Sequence, residues 1–267
     1  MGGLDYYPSK FRHSEENDER FFRQQEWLRE HKKWEKQWDE ARDRHEKEEK
    51  TNNKTNNKTN NKTMKILELF SGTGSVGKVA RAHGYSVVSL DLKGADINTD
   101  IMLWDYKNAY EPNHFDMIWA SPPCNTFSNL RRSWIGRKTK YFGDEVITKE
   151  MLDEDMINVG LPILRKTLEI IQYFDPIFYV IENPMTGRMK DYINDIPYTQ
   201  ADYCQYGFDY KKPTLFWNNF DFQGKRCNCS RKHVSTLGHA SDRTNLSQRY
   251  RIPPDLIEDV FQAMYDF

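Results

Sequence analysis

The sequence has no run of about 18 apolar residues, which excludes a membrane-spanning helix. Residues 1–10 lack an apolar stretch ahead of a small-residue cleavage site, so no secretory leader is expected. The protein is therefore read as intracellular, cytoplasmic or in a host cell. Cysteine is scarce: four in 267 residues, at irregular spacing, do not make a disulfide framework, and reduced thiols are expected. A dominant charge sign is missing too, because 39 Lys and Arg stand against 40 Asp and Glu. A nucleic-acid site would have to be a local basic patch. The length suffices for one good core and an appendage.

Residues 1–50 are dominated by Glu, Lys, Arg and Asp, with Trp27, Trp34 and Trp38 at i, i+7 and i+11 on one helical face. A charged helical arm is expected there, docking its aromatic stripe on its own domain. An arm that binds a partner protein or self-associates is the alternative. Residues 51–63 read TNNKTNNKTNNKT, with no apolar residue to offset ordering entropy, which predicts a flexible linker. From Met64 the chain reads as self-sufficient: a catalytic domain over 64–220, a small basic insert over 221–249, and a closing helix over 250–267.

Short apolar strands alternate with helical stretches from residue 66 onward. Strands are predicted at 66–70, 87–90, 115–120 and 177–181, and helices at 76–82 and 161–174. Leu161, Leu164, Leu168 and Ile171 share one helical face, and Pro162 suits a first turn. This order implies an α/β fold, a mostly parallel sheet with helices on both faces, whose ligands bind beyond the carboxyl ends of the strands. The candidate motifs all sit at such ends. Phe70, Ser71, Gly72, Thr73 and Gly74 leave the first strand, and their glycines permit a tight turn and close approach to a ligand. Asp91, with Leu92 beside it, ends the second strand, where a carboxylate can accept from ribose hydroxyls. Asp100 and Ile101 fall where a third strand should end, near an adenine amino group. An adenosine-type cofactor fits this pattern, and an ordinary turn with a surface aspartate is the plainer reading.

Ser121-Pro122-Pro123-Cys124 follows a strong strand. The prolines stiffen the loop, and a cysteine held rigidly near helix termini can be kept partly as thiolate. Glu182-Asn183-Pro184 ends a neighbouring strand, so a thiol and a carboxyl share one sheet edge beside the cofactor position. With these residues assembled, the segment from Met64 to Trp217 resembles the cytosine-C5 DNA methyltransferases. LFSGTGSVG resembles the family's glycine loop, Asp91 its ribose acid, and Thr99-Asp100-Ile101 its adenine-contacting strand end. SPPCNTFS is similar to its nucleophile loop, VIENP to its Glu-Asn strand, and YGFDYKKPTLF to a segment that normally carries Gln and two Arg. RYRIPPDLIEDVF resembles its closing segment. The likeness runs to short methylases of bacteriophages and large DNA viruses, and to restriction-modification or viral DNA modification.

The resemblance implies a Rossmann-like, S-adenosylmethionine-dependent enzyme acting on a flipped-out cytosine in DNA. It implies Cys124 as nucleophile at C6, Glu182 at N3, and Pro123 and Asn183 as positioning groups. Two departures stand out. Lys212 occupies the first arginine position, and Thr214 the second, where it supplies no positive charge. The region from 221 to 249 is also too short for a full recognition domain. Its Lys225, Arg226, Arg231 and Lys232 suit phosphates, so a short or loose recognition sequence is expected. Arg131 and Arg132, with Trp134 and Tyr141, suit a basic, aromatic lid over an extruded strand, and a solvated loop is the plainer reading.

Cys227, Cys229 and His233, with His239 as a further donor, suit zinc. However, Cys-x-Cys is not a strong signature and no metal is expected in preference to free thiols. Cys204 reads as a packed core residue. Two rival functions stay open. Methylation of another nucleic-acid target, an exocyclic amino group or a tRNA cytosine, is one. Amino methyltransferases, however, place an aromatic residue where Cys124 stands. A non-catalytic DNA-binding relative, suggested by Thr214, is the other.

Overall fold

Apolar side chains alternate between two cores along the central strands, as a sheet covered on both faces requires. A computed structural model describes Arg29 and residues 63–193, 196–234 and 249–266. The expected helical arm (apart from Arg29), nearly all of the linker, and positions 235–248 of the basic insert lie outside the described residues.

Five strands run parallel: β1 (Lys65–Leu69), β2 (Ser86–Asp91), β3 (Ile97–Asn98), β4 (Met117–Ala120) and β5 (Phe178–Pro184). Two more, β6 (Tyr198–Asp202) and β7 (Pro213–Asn218), complete the sheet, with β7 antiparallel between β5 and β6. The spatial order is β3-β2-β1-β4-β5-β7-β6. The third strand ends at Asn98, two residues short of Asp100, because only Leu90 and Asp91 of β2 pair with it. In the other direction, β5 runs further than its apolar run, through Glu182, Asn183 and Pro184, because β7 pairs with all three.

Ile66, Met117, Trp119, Phe178, Val180 and Phe216 face one core. Helix α1 (Ser75–Ala82) and the C-terminal helix, Pro254–Tyr265, cover that face through residues such as Val76, Val79, Leu256 and Phe261. Leu67, Ile118, Ala120, Tyr179, Ile181 and Trp217 face the other core, under helix Leu161–Phe174, whose predicted stripe is buried there. Each of these large side chains contributes about 1.5–3 kcal/mol when buried. Lys149–Asp155 leads into that helix through a π turn, Met156–Gly160. Pro162 supplies no N–H to the ladder just beyond this turn, consistent with the local widening. A side chain on Gly160 would meet the Phe127 ring at 3.1 Å, so glycine lets the segment after the Ser-Pro-Pro-Cys loop seat against the helix. Among the described residues no helix is long and apolar enough to cross a membrane.

Glu68 is the exception within β1. It is 3% exposed, and its carboxyl accepts from the N–H groups of Val76 (3.2 Å) and Gly77 (3.1 Å) at the start of α1. These are donors that a helix leaves unpaired, so the carboxyl fastens strand to helix directly beneath the glycine loop. Burial outweighs those bonds and pushes the Glu68 pKa up from 4.5 to about 7. A carboxyl whose pKa rises on folding binds its proton more tightly in the folded state. Its stabilising contribution is thus full below pH 4.5 and lost as pH rises through about 7. Measured by urea unfolding, wild type should lose about 2–3 kcal/mol relative to Glu68→Gln between about pH 5 and pH 8. Parallel stability profiles for the two proteins would contradict this.

Candidate active site

The strand order reverses at β1, with β2 and β3 to one side and β4 and β5 to the other. A crevice opens outside the carboxyl ends of the strands at such a switch point. The glycine loop leaves β1 and the Ser-Pro-Pro-Cys loop leaves β4, so the two flank this crevice. Backbone bonds tie the strand ends together: Ser71 N–H to Leu90 O (3.1 Å), Ser121 N–H to Leu69 O (3.2 Å) and Thr99 N–H to Asp91 O (3.0 Å).

Phe70, Gly72 and Gly74 all have left-handed backbone, with φ of 60°, 51° and 64°. A side chain at Gly72 or Gly74 would meet nothing of the protein closer than 3.9 Å, so the demand for glycine there is conformational and the space above the loop is open. Asp91 is buried at the end of β2. Its Oδ2 accepts from Gly72 N–H at 2.8 Å and its Oδ1 from Leu92 N–H at 2.7 Å, which locks the acid to the loop. Asp100 accepts from Met102 N–H at 2.9 Å, and Ile101 is buried beside it. Ser71, Thr73 and Leu92 are half-buried around the same strand ends. An open, glycine-lined cradle with a fixed carboxylate at the next strand end fits an adenosyl group.

At the chemical end, β5 carries Glu182 and Asn183 onto opposite faces of the sheet. Asn183 Nδ2 donates to Pro122 O at 2.8 Å in the buried interior, joining β5 to the loop that holds Pro123 and Cys124. Glu182 Oε1 accepts from the Tyr203 hydroxyl at 3.3 Å, and Lys212 Nζ stands 3.8 Å from the same oxygen. Lys212 Nζ also lies 4.6 Å above the Tyr203 ring and donates to Arg249 O at 3.3 Å. Burial pushes the Cys124 thiol up, Lys212 draws it down, and Glu182 adds a smaller upward push. Lys212 is therefore turned inward to the Cys124–Glu182 pair. Thr214 is fully buried and spends its hydroxyl on Lys212 O at 3.2 Å, beside Tyr203.

The basic residues divide. Arg131 corrects the expectation of a DNA contact: it is 6% exposed, pairs with Asp155 at 2.5 Å, and packs against Trp134, Tyr141 and Phe142. Leaving that carboxylate for a phosphate would strand a buried charge. Lys225 pairs with Asp259 at 2.5 Å and Arg231 with Asp209 at 3.0 Å, both at the surface, where such pairs exchange readily. Arg132, Arg226 and Lys232 are exposed. Cys204 is buried as expected, yet its sulfur also lies with Cys227, Cys229 and His233, a grouping that spacing alone did not reveal.

No family model matches the sequence. A protein of Frog virus 3 (isolate Goorha), named a probable DNA (cytosine-5)-methyltransferase, is 41% identical over 217 residues, covering 74% of this chain and 98% of the viral protein. The chain belongs to the DNA (cytosine-5)-methyltransferase family. Two solved structures are also similar: the Entamoeba histolytica methyltransferase EhMeth (TM-score 0.42, 15% identity, 73% of this chain and 64% of that one), and a DNMT2 mutant from Spodoptera frugiperda (TM-score 0.35, 15% identity, 62% and 54%). The chain thus spans less than two thirds of either structure.

Sequence reasoning missed Tyr203 and Glu68 in this methyltransferase. Tyr203 had no local signal, because its meeting with Glu182 depends on β7 lying between β5 and β6. Glu68 did carry one: a lone acid inside the apolar run ILELF is a buried charge that needs partners. The geometry around Lys212 gives a direct expectation. Lys212→Met removes the cation that draws the Cys124 pKa down, so the pH profile for iodoacetamide labelling of Cys124, followed by peptide mass spectrometry, should move to higher pH. Labelling at neutral pH should slow. An unchanged profile would show that Lys212 does not act on the thiol.

Proposed function

We propose that the chain transfers a methyl group from S-adenosylmethionine to C5 of cytosine in DNA through a covalent bond between Cys124 and C6. The observation that carries this reading is the meeting of Cys124, Glu182 and Lys212 at the switch point, with Asn183 holding the nucleophile loop. Phe70, Ser71, Gly72, Thr73, Gly74, Asp91, Leu92, Asp100 and Ile101 would hold the cofactor. S-adenosylmethionine, when bound, supplies the electrophilic methyl group that C5 receives.

The protein's own residues do the rest. Cys124 thiolate adds to C6, and Glu182 gives a proton or hydrogen bond to N3, so the electron pair shifts toward C5. Lys212 opposes the burial that disfavours the thiolate. Tyr203 holds the Glu182 carboxyl in place through its hydroxyl. Departure of the C5 proton re-forms the C5–C6 double bond and expels the Cys124 sulfur. A cytosine inside a duplex cannot reach the half-buried Cys124 and buried Glu182, so the base is taken out of the stack. Arg132, Arg226 and Lys232 are the exposed cations available to the phosphates beside it, with Lys225 and Arg231 joining if their surface pairs open.

Tritiated S-adenosylmethionine and unmodified duplex DNA, with product digestion to nucleosides, test this reading. Wild type should place label in 5-methylcytosine, Cys124→Ala should place none, and Glu182→Gln should be slowed about 10²–10⁴-fold. Label in an N-methylated base would refute C5 chemistry. Transfer to tRNA alone would move the substrate, and cofactor binding without transfer to either nucleic acid would favour a binding role.

A further inference from the structure

Three cysteines and a histidine gather at the β6 edge of the sheet, away from the switch point. Cys204 sits in the turn after β6, and Cys227, Cys229 and His233 lie on the irregular segment that follows β7. One donor atom from each lies within 4.8 Å of all the others, and Cys227 Sγ is 3.8 Å from His233 Nε2. Four-coordinate zinc has bonds of about 2.3 Å to sulfur and about 2.0–2.1 Å to nitrogen, so tetrahedral donors stand roughly 3.6–3.8 Å apart. We propose that Cys204, Cys227, Cys229 and His233 form a structural zinc site that fastens the basic segment to the edge of the catalytic sheet.

Hydrogen-bond donors and cations gather around the sulfurs of Cys227 and Cys229. Cys229 N–H donates to the Cys227 sulfur, an arrangement that both stabilises negative sulfur and fixes the Cys-x-Cys turn. Gln205 Nε2 donates to Cys229 Sγ at 3.1 Å. The Arg231 guanidinium hydrogen-bonds to Cys229, and the charge of Lys211 acts on Cys227. Three thiolates and a neutral imidazole on Zn²⁺ carry a net charge of about −1, which Lys211 and Arg231, the latter shared with Asp209, offset. The three thiol protons pass to solvent as the metal binds.

The site also answers a folding question. Residues 221–234 form neither helix nor strand, so little backbone pairing holds them. A few bonds dock them on β6 and the turn after it: Lys225 O accepts from Asp202 N–H at 3.0 Å, Lys225 N–H donates to the Tyr206 hydroxyl at 2.9 Å, and Cys227 N–H donates to Asp202 Oδ2 at 2.7 Å. Four ligand bonds from two separated stretches of chain would turn that seam into a rigid joint. All four cysteines are free in the structure, so no disulfide competes for these ligands.

Untagged full-length protein, purified without chelator, should carry about one zinc per chain by native mass spectrometry and elemental analysis. Cys227→Ser and Cys229→Ser should lose most of it, whereas Cys124→Ser should retain it. If the ligand variants fail to fold, cobalt-exchanged wild type gives a second readout: thiolate-to-cobalt charge transfer and the visible bands of a tetrahedral ion. A chain free of metal, a mass two hydrogens lighter from a disulfide, or zinc that persists unchanged in the ligand variants would each overturn the proposal.

Discussion

The buried hydrogen bond from Asn183 to Pro122 O is the joint on which the site depends. It ties the end of β5 to the loop after β4, and those two elements carry the carboxyl and the thiol. An unmade bond of this kind would leave polar groups unsatisfied in the interior at about 1–3 kcal/mol each. The bond forms because β7 inserts antiparallel beside β5 and extends that strand past its apolar run to Pro184. Glu182 and Asn183 are thus strand residues with fixed, opposite directions. One faces Tyr203 and Lys212 and the other faces the loop.

Charge near the thiol is settled by a contest between burial and Lys212. Removing the cysteine from water disfavours its anion, and Lys212 offsets part of that. Where the family resemblance places a second arginine, Thr214 is buried and bonded to Lys212 O, and Tyr203 supplies the hydrogen bond to Glu182. A neutral relay of Tyr203 and Thr214 therefore accompanies one cation. The C-terminal segment closes this arrangement: Arg249 O receives Lys212, and Ile252 N–H donates to Ser75 Oγ at 3.2 Å beside the glycine loop. One short stretch of chain touches both halves of the site.

Much of this was legible in the sequence. Short apolar runs alternating with helical stretches, and a helical stripe on residues 161–174, pointed to the parallel part of the sheet, and the glycine loop, Asp91 and the two strand-end motifs marked the candidate site. What escaped were features that local pattern does not encode. The antiparallel β7 insertion depends on long-range pairing, and it alone brings Tyr203 to Glu182. Arg131 looked like a phosphate ligand because a guanidinium reads the same in solvent or in a core. Its burial follows from Asp155, 24 residues away. Cys204 read as a core residue because it ends a strand-like run, and its partners come from the far side of β7.

The most direct test of covalent chemistry at Cys124 uses duplex DNA carrying 5-fluorocytosine in place of cytosine, incubated with the enzyme and S-adenosylmethionine. Fluorine cannot leave C5 as the proton does, so the intermediate is trapped. The account predicts a protein–DNA adduct that survives denaturing detergent, maps to Cys124 by peptide mass spectrometry and is absent from Cys124→Ser. Methyl transfer to ordinary cytosine with no such adduct, or an adduct on another residue, would contradict it.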